Sequence, residues 1–242
     1  MIRFYAPDIE QKPQLPADES AHAVRVLRRK PGDELEVVDG RGNLYRCRLV
    51  TDDHRGAVVE IVEKEALPKV WTPYITIAVA PTKHADRMEW LVEKLVEIGV
   101  DRIVPLRCRR SERKEIKPER LERIAVSAMK QSLKAILPRI DATTPLKDFL
   151  AEAPTEGQQR FAGYCDADTP RRLLAQAYKP GSDVNILIGP EGDFDPEEIA
   201  AAIAAGYIPV TMGDNRLRTE TAALVGCDTI HIVNQCLLHS TN

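Results

Sequence analysis

The chain has 242 residues, 43% hydrophobic and 29% charged, with a formal net charge of −3, the make-up of a soluble globular protein with length enough for a hydrophobic core. The opening "MIRFYAPDIEQK" has no apolar stretch of the secretory kind and no run approaches a membrane span, so a cytoplasmic protein is expected. The five cysteines (Cys47, Cys108, Cys165, Cys227 and Cys236) are scattered, with no CxxC and no Cys/His cluster at zinc spacing, which predicts reduced thiols and no metal.

Residues 1–70 read as short strands and turns. A helical stretch, "ADESAHAVRVLRR", precedes "ELEVVDG", "LYRCRLV" and "GAVVEIVEK", and the "RGN" turn between alternating segments signals a hairpin. A small barrel or sheet is expected, ending near Pro68 and Pro73. From 71 to 242, strand and helix patterns alternate. "YITIAVA" is followed by "HADRMEWLVEKLVEIG", with Met88, Leu91, Val92, Leu95 and Val96 on one face. "RIVPL", a long basic helix, "RFAGYC", "TPRRLLAQA", "VNILIG", "PEEIAAAIAAG", "YIPVTM" and a last helix from about Thr219 complete an α/β domain with a largely parallel sheet.

Charge is unevenly spread. Residues 102–139 hold 12 Lys/Arg against 4 Asp/Glu, a local +8 in an acidic chain. This stretch is either a phosphate-contacting surface or a solvated helix face; charge alone does not decide.

Two loops carry the candidate chemistry. In "NILIGPEGDFDPEEIAAAIAAG" a strand ends at Gly189-Pro190-Glu191-Gly192. Asp195, Pro196 and Glu198 have the spacing of an N-cap, N1 and capping box, and Gly206 that of a C′ stop. Glycines at the carboxyl end of a strand admit a ligand close to the backbone, at the edge where open α/β sheets bind ligands. GxGxxG and GxxxxGK[ST] are both absent, which argues against a dinucleotide fold and a P-loop. In "MGDNRLRTETAAL" a turn at Gly213-Asp214-Asn215 leads to Leu217 and to Thr219, a candidate helix cap. A turn and a cap explain those residues, but not Arg216, Arg218 and Glu220 crowded at one junction. The two loops would lie side by side if their strands were neighbours.

Together, "LIGPEGDFDPEEI" and "MGDNRLRTETAAL" resemble the signature pair of the RsmE family, the 16S ribosomal RNA uridine-N3 methyltransferases of the SPOUT superfamily. "HAVRVLRRKPGDELEVVDGRGNLY" resembles the family's PUA-like barrel, and "MEWLVEKLVEIGVDRIVPLRCRRSERK" the start of its methyltransferase domain. The resemblance covers essentially the whole chain and implies S-adenosylmethionine as methyl donor, 16S rRNA or the small ribosomal subunit as partner, a trefoil-knotted parallel sheet and a homodimer. Connection rules alone predict an unknotted open sheet, so the knot enters only through the resemblance. Two departures stand out. Asn215 lies where the family often has arginine, and the usual Glu-Gln-Ser-Gly-Arg segment reads "KQSLK", Lys130 to Lys134.

The resemblance places the adenosyl group on loop backbones at Leu187, Gly189, Gly192, Met212, Gly213 and Leu217, with Pro190, Glu191, Arg218 and Thr219 completing the cofactor site. Arg218 would stabilise the uracil oxygens as negative charge develops. Glu220 is the nearest candidate base, with Glu191 second; Glu220 reads equally well as a helix-start carboxylate answering the helix dipole. Arg25, Arg28 and Arg29 in the first domain and Arg107, Arg109 and Arg110 in the second are the RNA candidates. His22 matches a family histidine, or is a solvated helix residue. Two other readings share many of these features: a SPOUT enzyme acting on another atom such as a ribose 2′-oxygen, and a non-catalytic RNA-binding protein. The final helix, apolar on nearly all sides, predicts deep burial or a subunit interface.

Overall fold

The structure, a computed structural model, describes residues 2–164 and 171–239; Cys165 therefore lies outside the described residues. The chain forms two compact units. One comprises Met1–Val70 with Ala125–Leu137, the other Trp71–Ile124 with Pro138–Asn242. The first division between the units falls between Val70 and Trp71. The return of 125–137 to the first unit has no counterpart in the sequence reading, where those residues belong to one long basic helix.

In the first unit, β1 (Arg3–Tyr5), β2 (Glu34–Val38), β3 (Asn43–Leu49) and β4 (Val59–Ala66) form one sheet in that order. β1 runs parallel to β2, while β2–β3 and β3–β4 are antiparallel. Alternation places Leu35, Val37, Tyr45, Cys47 and Leu49 in a core with Phe4, Ile9 and Leu15. The β2–β3 turn is organised by Asp39, whose Oδ1 accepts from the N–H groups of Arg41 (2.8 Å) and Asn43 (3.2 Å). Burial pushes this carboxyl's pKa up, but the donors of Asn43 and Arg41 outweigh it and leave it below the ordinary value. Helix α1 (Ala17–Ala21) continues into a π-helical turn, His22–Val26.

The second unit holds β5 (Ile75–Val79), α2 (Ala85–Ile98), β6 (Arg102–Arg107), β7 (Arg139–Ile140), β8 (Thr144–Pro145), α4 (Leu146–Leu150), β9 (Gln159–Gly163), β10 (Arg172–Leu173), α5 (Leu174–Ala177), β11 (Val184–Ile188), α6 (Pro196–Ala204), β12 (Ile208–Thr211) and α7 (Thr219–His239); α3 (Pro118–Gln131) begins here and ends in the first unit. The sheet order is β10-β12-β9-β11-β5-β6-β7, with β8 on β6, and every described pair is parallel. β5 and β11 are buried along their whole length, as continuous apolar runs covered on both faces require. The expected face of α2, Met88, Leu91, Val92, Leu95 and Val96, is buried, and α7 packs against α2, β5 and β11.

Candidate active site

The loops after β11 and β12 do not follow neighbouring strands, because β9 lies between them. They nevertheless line one cleft of about 400 Å³ at the carboxyl ends of the three strands. Gly163, the last residue of β9, is what allows this. A Cβ there would lie 2.9 Å from Ile188 Cδ1 and 3.2 Å from Met212 Cε, so the bare backbone lets side chains from both flanking strands close over it.

The first loop is shaped by local chemistry that the sequence displays. Asp195 caps α6 by accepting from the Glu197 N–H at 3.1 Å, and Glu198 Oε2 accepts from the Asp195 N–H at 3.0 Å, completing the capping box with Pro196 at N1. Asp193 takes a left-handed conformation (φ +61°) and its Oδ1 accepts from the Phe194 N–H at 2.8 Å. Glu191 Oε1 accepts from the Lys83 N–H at 3.0 Å. The second loop turns at Gly213, whose φ of +141° favours glycine; the Thr211 hydroxyl donates to the Gly213 carbonyl at 2.6 Å and accepts from its N–H at 3.2 Å. Thr219, buried at the head of α7, donates from Oγ1 to the Gly189 carbonyl at 3.2 Å and thereby ties one loop to the other.

Of the residues singled out in the sequence, Gly189, Pro190, Glu191, Met212, Leu217, Arg218 and Thr219 line the cleft, as does Arg216. Leu187 lies beneath it in the core, fully buried. Gly192 and Gly213 are in the two loops but not among the lining residues, and neither is Glu220. Glu220 is buried in the first turn of α7 with Oε1 3.7 Å from Nε of Arg87. Arg87, Tyr164 and Asp193 also line the cleft and were missed in the sequence. Arg87 carried one faint signal: it stands four residues before Leu91 on the apolar stripe of α2, a place where a charge calls for a reason.

The arginines expected to contact RNA divide into groups. Arg25 and Arg28 are exposed at the end of the π-helical turn, Arg28 with φ +56°, and Arg29 pairs with Asp33 at 4.0 Å. Arg107 is exposed at the end of β6. Arg109 and Arg110 are instead engaged within the second unit. Arg109 pairs with Asp195 (3.0 Å) and Glu197 (2.8 Å), and Arg110 donates to the Gly192 carbonyl (3.0 Å). His22 lies half-buried with its ring centroid 5.9 Å from that of Phe4. Among the described residues no cluster of metal-ligating side chains occurs, and no helix is long and apolar enough to cross a membrane.

Residues 71–231 match the RNA methyltransferase domain family and residues 15–62 the RNA methyltransferase PUA domain family. A relative from Aquifex aeolicus, "Ribosomal RNA small subunit methyltransferase E", is 30% identical over 83% of this chain and 86% of its own. The crystal structure of a probable rRNA-methyltransferase from Porphyromonas gingivalis superposes with TM-score 0.93 at 49% identity, covering 98% of this chain and 100% of that one. A ribosomal RNA small subunit methyltransferase E from Neisseria gonorrhoeae, solved bound to S-adenosyl methionine, gives TM-score 0.80 at 26% identity over 96% of this chain and 98% of its own.

Proposed function

Because the chain belongs to the ribosomal RNA small subunit methyltransferase E family, we infer that it methylates N3 of a uridine in 16S ribosomal RNA, with S-adenosylmethionine as donor. The observation that carries this reading is the cleft across β12, β9 and β11, walled by the two signature loops. Its volume of about 400 Å³ suits a ligand of the cofactor's size. Its chemistry fits as well: Ile188, Val210, Met212 and Leu217 give an apolar lining, and the glycine-bearing turns offer backbone to an adenosyl group. When bound, S-adenosylmethionine supplies an electrophilic methyl group.

The chain's residues do the rest. Gly189, Pro190, Leu217 and Thr219 hold the cofactor, with Leu187 supporting them from below, and the apolar walls keep water out. Arg218 faces the uracil oxygens as charge develops. Of the two candidate carboxylates, Glu191 is the one that lines the cleft. Its Oε1 is held by Lys83, so Oε2 receives the N3 proton. Arg25 and Arg28 of the first unit and Arg107 of the second are exposed and carry no ion pair among the described residues, and these are the cations offered to RNA phosphates.

The same reading makes the protein a cytoplasmic homodimer with a trefoil-knotted second unit, the partner chain completing the site. Its support is α7, where Leu224 and Val225 are half-buried and Ile232 is 50% exposed in the single chain. The test is transfer of labelled methyl from S-adenosylmethionine to small subunits from a strain lacking the protein. Label in the 16S RNA, with the cofactor bound in calorimetry and a dimer in light scattering, is the expected result. A protein that binds RNA but neither cofactor nor label would overturn it.

A further inference from the structure

Glu220 is poorly explained as a structural residue. Its side chain is 9% exposed, its Oε1 has one ionic neighbour, Arg87 Nε at 3.7 Å, and its buried Oε2 has no hydrogen-bond partner. A carboxylate removed from water and left half-satisfied is a poor way to hold two helices together, since an apolar pair of similar size does so at less cost. Arg87 is equally underused. It stands in the first turn of α2, 33% exposed and lining the cleft, and among the described residues its guanidinium makes no hydrogen bond. A guanidinium has five N–H donors. Here its Nε edge is turned toward Glu220 while the side chain borders the cleft.

Loss of the N3 proton leaves uracil with negative charge spread over N3 and its two carbonyl oxygens. A planar fork of donors fits such an anion better than a point charge does. Arg87 and Arg218 border the same cleft, so each of the two carbonyls can meet its own guanidinium. We propose that Arg87 is a catalytic residue that stabilises the N3-deprotonated uracil, and that Glu220 is a positioning residue fixing the plane of its guanidinium. This rests on reading the cleft as the uridine methylation site. The balance is simple: the N3–H proton passes to Oε2 of Glu191, the N3 electron pair forms the N–C bond, and the S–C pair returns to sulfur, leaving a neutral thioether. Because Glu220 meets Arg87 at Nε and is not among the residues lining the cleft, it holds the cation without facing the anion that forms.

The test is the single-turnover rate against pH, with small subunits carrying either uridine or 5-fluorouridine, whose N3–H is the more acidic. The variants are Arg87→Gln, Arg87→Lys, Glu220→Gln and Arg87→Gln/Glu220→Gln. The double variant removes both charges together, so that no unpaired carboxylate is left buried. Arg87→Gln and the double variant should lose about 100-fold at pH 7, recover as pH rises, and regain most of the loss on 5-fluorouridine substrate. Glu220→Gln and Arg87→Lys should lose about tenfold, with the same selective recovery. Calorimetric affinity for S-adenosylmethionine should be unchanged throughout.

A pH profile parallel to wild type, with no preferential rescue by 5-fluorouridine, would reduce Arg87 to a structural residue. A fall in cofactor affinity in step with the rate would assign it to the cofactor instead. Either result overturns the proposal while leaving the methyltransferase reading intact. Failure of the wild type to methylate uridine at all would overturn both.

Discussion

The backbone N–H of Arg109 donates to Oε1 of Glu198 at 2.7 Å, and the other oxygen of that carboxylate closes the capping box on Asp195. One carboxylate thus joins the loop after β6 to the start of α6, and the Arg109 side chain adds its pairs to Asp195 and Glu197. These acids already neutralise Arg109, whereas Arg107 has no such ion pair among the described residues. Arg107→Ala should therefore flatten the salt dependence of RNA binding by about 0.7–0.9 in log–log slope, the effect of one phosphate contact. Arg109→Ala should leave the slope nearly unchanged and lower the melting temperature. Filter binding at several salt concentrations, beside calorimetric melting, separates them; equal slopes for both variants would contradict the assignment.

Two helices end in the same hydrogen-bond pattern with different residues at the critical position. At the end of α6, Tyr207 N–H donates to Ala202 (3.0 Å) and Gly206 N–H to Ile203 (2.9 Å); at the end of α3, Lys134 N–H donates to Met129 (3.0 Å) and Leu133 N–H to Lys130 (3.2 Å). Gly206 has φ +86°, and Leu133 has φ +54° with a side chain 46% exposed. A left-handed leucine is strained by about 1–2 kcal/mol, and little apolar burial offsets it. Leu133→Gly should raise stability by about 1 kcal/mol, seen in urea unfolding as a higher midpoint at unchanged slope. A fall in stability would show that the leucine packs better than its exposure implies.

Gly163→Ala should weaken cofactor binding without unfolding the protein. The added methyl meets the flexible ends of Ile188 and Met212, both of which line the cleft, so they give way into it. About a tenfold rise in Kd is expected, on the order of 1.4 kcal/mol. Calorimetry and a thermal melt suffice; wild-type affinity would show that the displaced side chains do not border the cofactor.

Glu19 is 5% exposed in the first unit, and burial raises its pKa despite the Lys130 ammonium beside it. A carboxyl with a folded-state pKa above its unfolded value binds more protons when folded, so its contribution to stability falls as pH rises through that window. Relative to Glu19→Gln, the wild type should lose stability as pH rises from about 4.5 through the raised value. The difference between the two proteins in urea unfolding across pH measures this. A wild type that gains on the variant with rising pH would mean that the Lys130 attraction outweighs burial.

Local chemistry was legible in the sequence and long-range pairing was not. The capping box at Asp195 and Glu198, the stop at Gly206 and the apolar face of α2 each depend on residues within about two helical turns, and each formed as read. The place of β9 between β11 and β12 could not be read, because sheet order is set by packing across the whole unit. The contribution of Gly163 was hidden with it, since a glycine in "RFAGYC" carries no sign of which side chains it admits. Arg87 was missed for the same reason: its partner Glu220 comes from the far end of the chain, and only the packing of α2 on α7 brings them together. The arginines at 109 and 110 looked like free charge because the acids that hold them, Asp195 and Glu197, lie at the cap and first turn of α6.

The position of the transferred methyl tests the central claim most directly. Small subunits from a strain lacking the protein are incubated with the purified protein and S-adenosylmethionine, and the 16S RNA is digested to nucleosides for mass spectrometry. The account predicts a single new 3-methyluridine, absent when the protein is omitted. A methyl found on a ribose 2′-oxygen or on another base would contradict it, whatever the cofactor affinity.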